Sequence, residues 1–403
     1  MEGHAMGQSR WISAAMLCTA FVAAAAANDA KTKVIVLGVD HAAQLVAPAD
    51  SPAHLAAFLA RADPDAICIE RSPDEFARNS YYEFTYEVQD VAVPFAREHG
   101  VALCPVDWQP SAEDARLGFD LDLSSIPEIR PSSGYQQFLS FPQPAQLKRT
   151  LFHADDPGNT QRIADWAATP AAKAEHDMPR RMYLYRTFLQ ARRLASAAKA
   201  RPGSTVVLIV GEFHKRDIEN VLSADAGIEI VQPSTVGKPT ADELAAASRR
   251  EFHAAIATFN LLGVQADTGN MDHAYVASAL ESLAEHGQTQ ETRLLETRFA
   301  LLAGRMSARE AIEAYQRVAD QAGAEAFTWT GVQDHTRLDS YFDPFGNLTV
   351  RQRALLEIAR ERARLGMPDQ GKTMRQLGSE LGARKAIQLA AYWDRHIAQP
   401  ARN

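Results

Sequence analysis

A chain of 403 residues with 46% hydrophobic and 23% charged residues has ample capacity for a buried core, which excludes an intrinsically disordered protein. Its formal net charge of −8 argues against a nucleic-acid or anionic-membrane binder, since both partners demand basic surface. A small-molecule or peptide substrate suits that charge better.

The first 27 residues read as an export signal. Arg10 precedes the apolar run "WISAAMLCTAFVAAAAA", which is short for a membrane span and gives way to the polar "NDAKTK". Cleavage is expected near Ala27. Cys18 would serve a lipid anchor only with Gly, Ala or Ser before it, and Leu17 stands there instead. The expected location is therefore the periplasm or the extracellular medium. Cys68 and Cys104 remain in the mature chain, each inside an expected strand. Buried thiols are expected for both, because neighbouring parallel strands rarely offer the Cβ geometry of a disulfide.

From residue 28 to 238 the sequence alternates aliphatic runs with amphipathic stretches of helix length. Strands are expected at "KVIVLG" (33–38), "DAICIE" (65–70), "VALCPVD" (101–107), "TVVLIVG" (205–211) and "IEIVQ" (228–232). Each run is continuously apolar, as a parallel strand covered by helices on both faces requires. Ser51 and Pro52 open a helix, "FAREHG" closes another before Gly100, and a third spans about 180–200. Residues 108–178 are rich in Pro, Ser, Asp and Gly without sustained periodicity, so this segment reads as an insertion or lid. Residues 239–403 change to helices alone: Thr240 with Glu243 and Ser307 with Glu310 form capping boxes, and further helices fit 272–286, 290–304, 349–365 and 373–396. The first of these boxes is expected to start a helix carrying Leu244, Ile256, Phe259 and Leu262. The fold class that follows is α/β: a mostly parallel sheet flanked by helices, with a lid-like insertion and a carboxy-terminal all-helical domain that could offer a surface to a protein partner.

In an open parallel sheet, functional groups collect beyond the carboxyl ends of the strands. Four such ends here carry His41, Glu70, Asp107 and His214. The first and fourth strands end alike, in "LGVDH" and "VGEFH", so Gly38 precedes His41 at the spacing that separates Gly211 from His214. Glycine is expected there because the chain needs a sharp turn or a close approach. Two imidazoles and a carboxylate can ligate a divalent metal that activates water, with His41, Glu70 and His214 as ligands. They can equally act without one, a neutral histidine taking a proton from water while the other histidine or an arginine stabilises the oxyanion. Asp40 and Glu212, inside the motifs, are expected to support ring N–H or backbone amides. Of the basic residues Arg180, Arg181, Arg186, Arg192 and Arg193, Arg181 at the amino end of the third helix is the one expected to reach the crevice. His54, His99, His153 and His176 lack this context.

The paired motifs, the acid ending "AICIERS", the aspartate of "CPVDW" and the helix opening "RRMYLY" together resemble the TIKI/TraB and erythromycin-esterase/ChaN-like superfamily over residues 33–232. The resemblance implies a hydrolase of metal-dependent protease or histidine-base esterase type, with His41, Glu70 and His214 central and Asp107 and Arg181 supporting. It also implies haem binding as a non-catalytic alternative. Val-Asp and Glu-Phe fill the middle of the two motifs where small or aromatic residues are common in such proteins.

Overall fold

The computed structural model describes residues 30–119, 126–132 and 137–398, so the expected export signal lies outside the described residues. Five strands form one parallel sheet: β1 Thr32–Val39, β2 Ala66–Ile69, β3 Ala102–Pro105, β4 Thr205–Gly211 and β5 Ile228–Val231. Their spatial order is β3-β2-β4-β1-β5. The α/β class and all five strands read from the sequence are present, because each aliphatic run has two faces to bury. Ile35, Leu37, Ile67, Val207 and Ile209 enter one core, whereas Val34, Val36, Ala66, Val206, Leu208 and Val210 enter another on the opposite face.

Helices cover both faces. They include α1 Pro52–Ala62, α2 Val93–His99, α3 Pro157–Ala168, α4 Met178–Lys199, α5 Glu212–Leu222 and α6 Arg250–Leu262. The Ser51 hydroxyl caps α1 by accepting the His54 N–H, with Pro52 in the first turn. Gly100 ends α2 with φ 69°, a left-handed conformation in which glycine has no Cβ to clash. Ala191, Leu194, Ala195 and Ala198 of α4 pack on one face of the sheet with Ile218 and Leu222 of α5.

The helical region does not stand apart from the sheet. Phe252, Ile256 and Phe259 of α6 share a core with β1, β2 and β4, while a separate core of helices holds Leu294, Tyr315 and Leu356. Both capping boxes are present. Two helices expected to be continuous are broken. The one begun at Thr240 stops at Ala247 because Ser248 and Arg249 are extended, and α6 starts afresh. Gly382, also extended, separates Gln370–Ser379 from Ala383–Trp393. Among the described residues no helix is long and apolar enough to cross a membrane. Among the described residues the insertion carries a helix at Ala112–Phe119, two 3-10 turns at Pro144–Lys148 and His153–Asp155, and α3, so these parts are more regular than its composition suggests.

The two cysteines correct the expectation of free thiols: Cys68 and Cys104 form a disulfide. They lie opposite each other in the β2–β3 register, with Cα atoms 4.3 Å apart, so the alignment supplies what adjacent parallel strands usually lack. The bond fastens the edge strand β3, whose four residues are only partly buried. Replacing both cysteines by serine is expected to lower unfolding free energy by about 2–4 kcal/mol, through the entropy regained by the unfolded loop. Denaturant unfolding of the oxidised protein and the double variant measures it.

Candidate active site

Topology explains why distant residues meet. The chain lays β4 between β1 and β2, so Gly38 aligns with Val210 and Val39 with Gly211, and the two similar motifs emerge side by side. Glu70 ends the strand on the other side of β4. Close approach accounts for both glycines. A Cβ on Gly211 would sit 3.1 Å from His41 Nε2, and one on Gly38 would fall 2.8 Å from the Ala154 Cβ and 3.1 Å from the Glu212 Cα. Neither glycine has a positive φ, so space and not backbone strain fixes the residue type.

Glu70, 2% exposed, is the centre. Its Oε2 accepts the Gly211 N–H at 2.6 Å and its Oε1 accepts the Arg186 guanidinium at 2.8 Å. The two imidazoles flank it, His41 Nε2 lying 3.6 Å from Oε2 and His214 Nε2 3.8 Å from Oε1. The sequence-derived trio therefore converges.

The surroundings of the two rings push their pKa values in opposite directions. His41 Nδ1 bonds Glu87 Oε1 at 2.7 Å, and the other oxygen of Glu87 accepts the N–H of Ala42 at 3.2 Å. Ala42 has φ 61°, a conformation disfavoured by its Cβ, and the buried Glu87 braces it. Glu87 begins a π-helical turn, Glu87–Ala92, a backbone irregularity frequent at functional sites. Burial alone would lower the His41 pKa, but Glu87 and Glu70 outweigh it and lift it to about 9. His214 goes the other way: burial, with help from Arg186 and against Glu70, lowers it to about 4. Its Nδ1 lies 2.7 Å from the Thr187 hydroxyl, which itself donates to the Tyr183 carbonyl. Thr187 must then accept from Nδ1–H, which leaves the Nε2 lone pair of His214 facing Glu70.

Asp107 also joins the site. It accepts Arg186 Nε and Nη2 at 2.7 Å each, the Tyr82 hydroxyl at 2.7 Å and the Gln190 amide at 2.8 Å. Burial opposes its ionisation, yet Arg186 and these hydrogen bonds hold its carboxyl below the usual range. Arg181 does not take part. It sits in the first turn of α4 with its side chain exposed, and Arg186 does what was expected of it. Helical spacing gives the reason: Tyr183, Arg186, Thr187 and Gln190 recur every three or four residues on the inward face, and Arg181 lies outside that stripe. That polar stripe was a readable signal. Glu87 and Arg149 had none, Glu87 lying among valines and Arg149 in the insertion. Arg149 reaches Glu212 at 2.6 Å and Asp40 at 3.3 Å, tying both motifs together. Asp40 is nonetheless pushed up to about 6, because burial exceeds the effect of Arg149.

For a divalent metal, His41, Glu70 and His214 would offer two Nε2 atoms and a carboxylate. Glu70 already accepts a backbone N–H and a guanidinium, whose positive charge opposes a cation at the same oxygens. Among the described residues no group of three or more His, Cys, Asp and Glu side chains is arranged to hold a metal ion. The donor set as arranged does not fit a metal. Comparison with protein-family models, curated proteins and solved structures finds no match.

Proposed function

We propose that this chain is an exported hydrolase that cleaves an ester or amide bond of a small-molecule or peptide substrate. The observation that carries the reading is the pair of imidazoles set on one carboxylate, His41 bonded to Glu87 and His214 to Thr187; these surroundings push the first pKa up and the second down, which is how one site supplies an acid and a base at neutral pH. His214 Nε2 takes the proton from water as the oxygen attacks the carbonyl carbon. The His41 imidazolium faces the developing oxyanion and donates a proton to the leaving oxygen or nitrogen when the tetrahedral intermediate collapses. Glu70 faces the His41 imidazolium, Thr187 orients the His214 ring by accepting from its Nδ1–H, and Arg186 keeps Glu70 and Asp107 in place. The motif resemblance described above supports the same reaction class. The insertion, reaching the motifs through Arg149, serves as a partial cover.

Steady-state turnover on a panel of esters and peptides tests this, with and without a chelator. Activity is expected to rise with pH through about 4, as His214 loses its proton, and to fall through about 9, as His41 loses its own. Glu87→Gln removes the charge that holds His41 protonated, so its upper limb is expected to move down in pH. Its kcat at neutral pH is expected to fall about 10- to 100-fold, the usual cost of losing the partner that orients a histidine. An upper limb unmoved in Glu87→Gln would remove His41 from the acid role. Loss of turnover on chelation, restored by a divalent ion, would replace the histidine-base reading by the metal-assisted one. Absence of turnover together with a haem Soret band lost in His41→Ala would replace it by a binding function.

A further inference from the structure

A column of aromatic rings runs from solvent to His214. Trp166 of α3 is 43% exposed and meets the Tyr183 ring edge-on at a centroid distance of 5.2 Å. Tyr183 in turn stacks on the His214 imidazole at 5.2 Å with 14° between planes. Single exposed aromatics are common on protein surfaces, so the exposure of Trp166 means little alone. Its continuity with the imidazole assigned as base is what matters. Tyr183 is already pinned, because the Phe213 carbonyl and the Asp217 carboxylate engage its hydroxyl. It therefore offers a ring and not a hydrogen bond, and it needs no further ordering when a ligand arrives. The far end of the column is fixed as well, since the insertion that carries Trp166 is tied to both histidine motifs by Arg149. Tyr185 and Phe188 are also exposed, but Tyr185 meets Trp108 edge-on at 4.8 Å, and helical spacing sets Phe188 away from the stripe that carries Thr187 and Arg186.

We infer that the substrate bears a ring with a broad apolar face, an aryl group or the C–H face of a pyranose, which stacks on Trp166 while its ester or amide carbonyl lies at His214. This rests on the hydrolase reading and adds to it the class of group that reading leaves open. A three- to tenfold change in KM, about 0.7–1.4 kcal/mol, is what ring stacking adds beyond buried area.

The test compares three acetate esters of similar leaving alcohols on the full-length protein: 2-phenylethyl acetate, a methyl glucopyranoside acetylated at its primary hydroxyl, and butyl acetate. Trp166→Ala is expected to raise KM about three- to tenfold for the aryl or the pyranosyl ester, with kcat little changed, and to raise it less for butyl acetate. The ester that responds distinguishes the two ring types. Phe188→Ala is expected to leave the ratio of KM values as in the wild type. An equal change for ring and butyl esters, or no change in KM, overturns the inference. Failure of the wild type to hydrolyse any ester or any peptide of the panel overturns the hydrolase reading instead. Ring binding is then read by tryptophan fluorescence titrated with 2-phenylethanol and methyl glucoside. Saturable quenching absent in Trp166→Ala supports it, and no saturable quenching rejects it.

Discussion

His214→Ala is expected to lower kcat by about 10²–10⁴-fold while the protein stays folded, because the site loses the imidazole whose Nε2 is unprotonated at neutral pH. A water can occupy the space left behind, but it has no basicity to replace Nε2. The stability cost is expected to be modest, roughly 1–2 kcal/mol, since the change removes a stacked ring and a hydrogen bond to Thr187 and leaves no charge stranded. KM is expected to change little, so that kcat and kcat/KM fall together, as they do when a transition-state interaction is lost. Stopped-flow or steady-state kinetics with a thermal melt on the same sample decides it. Wild-type kcat in the variant would end the base assignment.

Arg186→Ala is expected to have the largest effect on folding, about 3–5 kcal/mol, because it strands two buried carboxylates that share one guanidinium. Asp107 is fully buried and Glu70 is 2% exposed, so neither can recover its hydration without local opening. Arg186→Lys is expected to recover little of this. An ammonium cannot bond both oxygens of Asp107 and one of Glu70 in the fork that the guanidinium makes. Denaturant unfolding of both variants measures the loss. Stability within about 1 kcal/mol of wild type would mean that the two acids are protonated or hydrated in the native state.

The sheet was readable because continuous apolar runs bounded by turn signals leave few alternatives, and all five strands lie where their aliphatic residues put them. The site was readable in the parts that sit at strand ends: His41, Glu70, Asp107 and His214 are fixed by the backbone that precedes them. Groups delivered by helices and by the insertion were harder to place. Choosing Arg186 over Arg181 depends on which side of α4 faces the sheet, and a cluster of five arginines along the helix obscures that. Glu87 depends on a π-turn for which the run "YEVQDVA" gives no local signal. The disulfide was missed because it requires strand register, and register between β2 and β3 is a tertiary property that two isolated cysteines do not reveal. The break at Ser248 reflects the same limit, since an amphipathic pattern can continue across two helices that the backbone separates.

The placement of β4 also orders events during synthesis. Its two neighbours, β1 and β2, leave the ribosome well over a hundred residues before the strand that must lie between them, so neither can complete its ladder until late. Such long-range closure slows folding and leaves apolar edges open in the meantime. Cys68 and Cys104 both precede β4, so oxidation can join β2 to β3 first and present the arriving strand with a prepared edge.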